Sequence, residues 1–130
     1  MNVVDCSVLG KLLLAEPKRN EVRAWFEEAQ AGHWELTAPD IVFYELGNVL
    51  ARALPHADPA ELGAALEQAL ARLQMRRPAP AAVSAIVRRG LTFYDAAYVA
   101  VAQETGATLV TLDDKMAKVA RKAGISVKTF

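Results

Sequence analysis

Four carboxylates stand at positions where they have more to do than face water. Asp5 directly follows the short apolar run Asn2-Val3-Val4, and Asp113 comes one residue after the run Ala107-Thr108-Leu109-Val110-Thr111. Asp95 falls in the first turn expected of the helix that leads into that second run. Glu45 neighbours Leu46, the middle of an apolar stripe, so at 3.6 residues per turn it lies about 100° away, on the shoulder of the stripe that Asn48 and Arg52 share. A carboxylate at the margin of a buried face is costly unless it is paired or bound to a cation. Gathered in one cleft, four acids repel one another and raise their pKa values unless a divalent cation neutralises them. Together with a hydroxyl such as Ser7 they form an all-oxygen donor set, which suits Mg²⁺ or Mn²⁺ rather than zinc. Simpler roles compete: Asp95 as capping-box partner of Thr92, Asp113 as a helix N-cap, Glu45 in a surface contact with Arg52. Asp5 has no comparable alternative.

Bringing these acids together requires strands that end side by side. The run through Asp5 reads as a strand followed by a helix that Ser7 N-caps and that continues through Ala15 until Glu16-Pro17 stops it. Residues 20–31, with Val22, Trp25, Phe26 and Ala29 at helical spacing, predict a second helix ended by Gly32, and residues 34–37 a short strand. The pattern Thr37-Ala38-Pro39-Asp40 opens a third helix to about Ala53 with Val42, Phe43, Leu46, Val49, Leu50 and Ala53 as its core stripe; Pro55 closes it. Asp58-Pro59 starts a helix to about Arg72, residues 73–75 form a weak strand, and residues 79–89 a helix ended by Gly90. Thr92 to Asp95 is a capping box for a helix to about Thr105, ended by Gly106. A buried strand over 107–111, a helix capped by Asp113 carrying Met116, Val119, Ala120 and Ala123, and a last strand over 126–128 complete the chain. Strands alternating with helices in this way predict an α/β fold: three layers, α/β/α, around a mainly parallel sheet with right-handed crossovers. Ligands of such sheets bind at the carboxyl ends of the strands, near a topological switch point.

Composition bounds the rest. A chain of 130 residues that is 53% hydrophobic and 23% charged reads as a single domain over residues 1–130, and excludes both disorder and a disulfide scaffold. Cys6 is alone and so makes no internal disulfide, no apolar run approaches a membrane span, and nothing at the start resembles a signal peptide. The expectation is a soluble, cytoplasmic protein. His33 and His56 are each isolated and support no zinc site; Cys6 is expected in the core, Trp25 and Trp34 as core or interface anchors. No glycine-rich phosphate loop is present. Fifteen Lys and Arg balance fifteen Asp and Glu, so the bulk signature of a nucleic-acid binder is missing. Residues 68–94 nonetheless carry Arg72, Arg76, Arg77, Arg88 and Arg89 and no acid, either a solvated helix surface or a phosphate-facing patch.

Four segments now carry a resemblance: Val3-Val4-Asp5-Cys6-Ser7, Pro39-Asp40-Ile41-Val42-Phe43-Tyr44-Glu45-Leu46-Gly47-Asn48-Val49-Leu50, Leu91-Thr92-Phe93-Tyr94-Asp95-Ala96-Ala97-Tyr98-Val99-Ala100 and Leu109-Val110-Thr111-Leu112-Asp113. In this order and spacing they resemble the signature segments of PIN-domain nucleases, and the short chain is most similar to the VapC toxins of toxin–antitoxin pairs. The resemblance implies a PIN-like, Rossmann-type topology and a Mg²⁺- or Mn²⁺-dependent endoribonuclease. Asp5, Glu45, Asp95 and Asp113 would form its acidic site, with the metal held by Asp5, Asp95 and Asp113 and Asp114 as a substitute for the last. It further implies Ser7 assisting beside Asp5, Asn48 steadying the Glu45 helix, a homodimer, an RNA substrate and a cognate antitoxin that silences the toxin. Arg88 and Arg89, closest in sequence to Thr92, are the candidates for RNA contact. The alternative within the family is a degenerate domain that binds RNA or scaffolds, favoured if an acid were missing. A receiver-like phosphoacceptor domain would want paired acids near the first strand and a lysine after a late one; Asp5 has no adjacent acid, and Lys115 lies inside the last predicted helix.

Overall fold

The structure, a computed structural model, describes residues 1–14 and 18–130. The expected stop of the first helix, Ala15 to Pro17, lies outside them. In chain order the elements are β1 (Asn2–Val4), α1 (Cys6–Leu13), α2 (Arg19–Ala31), β2 (Leu36–Pro39), α3 (Val42–Ala53), α4 (Pro59–Leu70), β3 (Leu73–Arg76), α5 (Pro80–Val87), α6 (Phe93–Thr105), β4 (Thr108–Val110), α7 (Asp114–Lys122) and β5 (Val127–Lys128). The strands form one sheet in the order β3-β2-β1-β4-β5, every pairing parallel. From β1 the chain steps outward through β2 to β3, then returns to the other side of β1 for β4 and β5. Right-handed crossovers running in opposite directions put their helices on opposite faces of the sheet. Accordingly α1 packs on α2 and α3, and α3 on α4, while α6 packs on α5 and α7. This is the three-layer α/β/α arrangement expected from the sequence, and the strand order reverses between β1 and β4.

Burial follows from that position. The central strands β1, β2 and β4 are covered on both faces, with Val3, Val4, Ala38, Leu109 and Val110 wholly inaccessible, whereas the edge strands β3 and β5 are largely open. Helix α6 is buried all round over residues 96–102, because it lies on β1, β2 and β4 with α5 and α7 at its flanks. It is the core helix of one layer, and its first turn, Phe93, Tyr94 and Asp95, is what reaches the sheet's carboxyl edge. Thr92 caps that turn by accepting from Asp95 N at 3.1 Å, and Gly106, at φ 68, ends the helix in a left-handed residue. Asp58 caps α4 by accepting from Glu61 N.

Three local expectations need correction. Ser7 does not cap α1; the helix begins two residues earlier than expected, with Asp5 at the N-cap position, and the Asp5 carboxylate makes no cap bond because it is engaged elsewhere. The second strand runs over Leu36–Pro39, so Thr37 opens no helix: it is buried in the sheet and its hydroxyl donates to the Gln74 carbonyl of β3 at 2.6 Å. Local capping chemistry lost there to a four-residue parallel ladder. Phe43 leaves the expected core stripe of α3 and is 44% exposed.

Candidate active site

Asp5 leaves β1 at the switch point, its backbone N–H held by the Val110 carbonyl of β4 at 2.9 Å. Two hydroxyls donate to the same carboxylate oxygen: Ser7 Oγ at 2.6 Å and Thr111 Oγ1 at 2.8 Å, both to Oδ2. No described residue donates to Oδ1. Each hydroxyl is itself fixed from behind. Ser7 Oγ accepts from Leu112 N at 3.1 Å, and Thr111 Oγ1 accepts from Asp113 N at 3.0 Å. The start of α1 is thus tied to the segment after β4 through side chains that converge on one carboxylate. Such bonds, with an ionised acceptor, are the stronger kind.

Asp113 caps α7 through Oδ1, which accepts from Met116 N at 2.9 Å, so the helix-capping role foreseen for it is real. It also lies close enough to Asp5 and Asp95 for its charge to act on both. Asp114, next in line, is exposed in the first turn of α7. From the other side of the sheet edge Glu45 enters half-buried on α3, and its Oε1 accepts from the Tyr98 hydroxyl at 2.7 Å. Tyr98 is fully buried, three residues beyond Asp95 on α6, so one face of that helix presents both groups. The Glu45–Arg52 contact does not form: Glu45 bonds inward to Tyr98 instead. Asn48 lies exposed on α3, its side chain without a hydrogen bond among the described residues. Arg88 and Arg89 are exposed just past α5.

The four acids therefore share one edge, and their protonation shows it. Burial drives the Asp5 carboxyl above the usual carboxylate range, against the pull of the Ser7 and Thr111 hydroxyls, and the charges of Asp95 and Asp113 add to the rise. Glu45 is raised by burial, opposed by Tyr98 and reinforced by Asp5 and Asp95. Asp95 is raised by burial and by Asp113, with Thr92 and Lys115 acting the other way. Nearby, the buried Cys6 thiol is pushed up to about 12, chiefly by burial, then by Glu45 and Asp5, and is inert. Tyr98, raised far above its usual range by burial and by Glu45, keeps its proton and remains a donor. Among the described residues no three such side chains stand close enough together to enclose an ion. The chemistry of the set nonetheless fits a hard divalent cation: oxygen donors alone, several carboxyls destabilised by burial and by their mutual charge, and Lys115 offsetting the charge at Asp95 only in part.

A model of the PIN domain matches residues 3–122. The chain belongs to the PIN-domain family. Ribonuclease VapC3 of Pyrobaculum aerophilum is 32% identical to it over 124 residues, covering 89% of this chain and 92% of that protein. Among solved structures, VapC20 of Mycobacterium tuberculosis, a Sarcin-Ricin loop cleaving toxin, shares a TM-score of 0.67 at 17% identity over 91% of this chain and 94% of that one. VapBC2 from Rickettsia felis, bound to a DNA fragment from their promoter, gives 0.71 at 15% identity over 98% and 97%. These two bear on the fold alone. In this PIN domain two residues joined the acids without having been singled out beforehand, Thr111 and Tyr98. Thr111 read only as the end of a strand, although a hydroxyl two residues before Asp113 was a usable signal. Tyr98 read only as helix, although its spacing from Asp95 placed both on one face.

Proposed function

We propose that this PIN domain is a Mg²⁺- or Mn²⁺-dependent endoribonuclease that hydrolyses RNA phosphodiesters, the toxin of a type II toxin–antitoxin pair. The observation that carries the reading is the Asp5 carboxylate held on one oxygen by Ser7 and Thr111, at the switch point, within the fields of Asp95 and Asp113. Asp5, Asp95 and Asp113 would hold the ion; bound there, it would offset phosphate charge and make an attacking water more acidic. The chain's own part is orientation. Pinning Oδ2 of Asp5 fixes the plane of the carboxylate and leaves Oδ1, with no donor among the described residues, as the oxygen that would serve the ion, and the Thr111 bond to Asp113 N sets Asp113 in register with it. Glu45, with Tyr98 donating to Oε1 and a raised affinity for protons, is suited to orient the attacking water and accept its proton.

The ribonuclease name of the 32%-identical relative supports RNA as substrate, and its VapC name supports the toxin reading, with a cognate antitoxin as partner. Arg88 and Arg89 add phosphate contacts; Asn48, exposed and without a side-chain hydrogen bond among the described residues, has no such contact to steady the Glu45 helix. The chain acts as a homodimer in the cytoplasm; no helix among the described residues is long and apolar enough to cross a membrane. The test is cleavage of RNA by the purified chain with Mg²⁺ or Mn²⁺ and with chelator, beside Asp5→Asn. Cleavage that needs both metal and Asp5 is expected; RNA binding without any cleavage would leave a degenerate RNA-binding module.

A further inference from the structure

Beside the acids lies a second feature that the proposed chemistry does not use. The turn before α3 and the N-terminal parts of α5 and α6 flank a cleft of about 260 Å³ whose lining includes Asp40, Ile41, Val83 and Ala97, with Phe93, Tyr94 and Arg77 at its open side. Val83 and Ala97 are buried, whereas Phe93 is 54% and Tyr94 62% exposed. Two adjacent exposed rings on the rim of an apolar cleft make a contiguous apolar surface of the kind that marks a ligand-binding groove. None of the four acids lines the cleft, but the segments that line it also carry two of them. Tyr94 immediately precedes Asp95, and Ile41 lies one helical turn before Glu45 on the same side of α3. Arg77 is bound to Asp40 through Nε alone, at 2.8 Å, in a pair whose side chains are 85% and 43% exposed. Exposed pairs of this kind hold weakly, and the terminal nitrogens of Arg77 stay available.

We propose that this cleft is a base-stacking subsite: Tyr94 and Phe93 receive an unstacked nucleobase of single-stranded RNA next to the phosphodiester at the acids, and Arg77 holds an adjoining phosphate. The inference rests on the ribonuclease reading and adds where the substrate's base sits. Aromatic faces take any base, and a forked guanidinium matches a phosphate. Its size, just under the roughly 300–1,000 Å³ of small-molecule sites, suits one flat ring system rather than a whole cofactor. Arg77 lines the cleft with its terminal nitrogens toward solvent, and Arg76 precedes it in the chain, so an anionic backbone is the occupant this rim favours. A second copy of the chain is a poorer occupant, because a two-fold contact through this face would bring the same arginine-rich segment near itself.

The experiment measures binding of a labelled short single-stranded RNA, and of a sugar-phosphate strand of the same length without bases, to the full chain made inactive by Asp5→Asn. In that background Tyr94→Ala and Phe93→Ala should weaken RNA binding about 5- to 150-fold, the range that base–aromatic stacking spans on removal of a ring. Tyr94→Trp should keep the affinity, and the strand without bases should bind all of them alike. Both rings are exposed, so folding survives, which a melting curve verifies. Unchanged RNA affinity in the alanine variants overturns the proposal, as does an equal loss for the strand without bases. It is likewise overturned if Tyr94→Ala converts a dimer to a monomer of unaltered RNA affinity. A wild type that cuts RNA in an Asp5-dependent way beside a Tyr94→Ala that binds normally sinks the stacking subsite alone; a wild type that neither binds nor cuts RNA sinks the ribonuclease reading with it.

Discussion

Thr111→Val removes one oxygen from the centre of the site and nothing from its shape. Thr111 is fully buried, its hydroxyl donates to Asp5 Oδ2 at 2.8 Å and accepts from Asp113 N at 3.0 Å, and valine fills the same volume. Losing a hydrogen bond to a charged acceptor costs about 1.5–3 kcal/mol. Asp113 is half-buried, so its released N–H regains water and adds no more than about 1 kcal/mol. The sum is a loss of about 1.5–4 kcal/mol at neutral pH, near 4 °C per kcal/mol for a domain of this size, or about 6–16 °C in Tm. Since Asp5 and Asp113 are both oriented by this hydroxyl, cleavage should fall about 10- to 100-fold, as it does when groups that orient metal ligands are removed. Thr111→Ser keeps the hydroxyl and gives up a methyl, so it should lose near 1 kcal/mol and retain most activity. Thermal unfolding and RNA cleavage across a metal titration read both effects. A valine variant within 0.5 kcal/mol of wild type and equally active would refute the idea that the hydroxyl organises the site.

Three further outcomes follow from the same geometry. Asp5 and Asp95 both have carboxyls raised in the folded chain, so their ionised forms oppose folding: their contribution is greatest below the unfolded value near 4 and is lost as pH rises through the folded one. Without added metal at neutral pH, Asp95→Asn should therefore melt above wild type, with the gap closing below about pH 4; a lower melting point would make Asp95 a structural cap. Millimolar Mg²⁺ or Mn²⁺ should raise the wild-type Tm, by about 2.7 kcal/mol of stability at a hundredfold excess over Kd, and should do less for Asp5→Asn; identical flat titrations would remove the metal. Arg88→Ala/Arg89→Ala should flatten the log–log salt dependence of single-stranded RNA binding by roughly one to two units while leaving metal binding intact; an unchanged slope would assign the pair to solvent or to a protein partner.

How legible this was depended on range. Signals written within a few residues survived folding: the Thr92 box on Asp95 N, the Asp58 cap, the Asp113 cap and the left-handed Gly106. The strand–helix alternation sufficed for the parallel sheet, because burial on both faces demands continuous apolar runs such as Val3-Val4 and Leu109-Val110. What failed depended on partners far along the chain. Thr37 looked like a helix cap and became strand because β3 paired with it, and Ser7 looked like a cap and instead serves Asp5. The same holds in the site. That Asp5 and Asp113 would share the sheet's edge follows from their strands, but the hydroxyl of Thr111 reaching Asp5 across 106 residues, and that of Tyr98 reaching Glu45 across 53, depend on packing that no local pattern encodes.

The most direct measurement is cleavage of a structured RNA by the purified wild-type chain and by Asp5→Asn, each with Mn²⁺ or Mg²⁺ and with chelator. Asparagine can keep its oxygen where Oδ2 receives Ser7 and Thr111, so the variant stays folded and loses only the charge facing the ligand. Wild type should cut with metal and stop with chelator, and Asp5→Asn should not cut under either condition. A folded Asp5→Asn that cuts at the wild-type rate, or wild-type cleavage indifferent to chelator, would contradict the assignment of this acidic edge as a metal-dependent nuclease site.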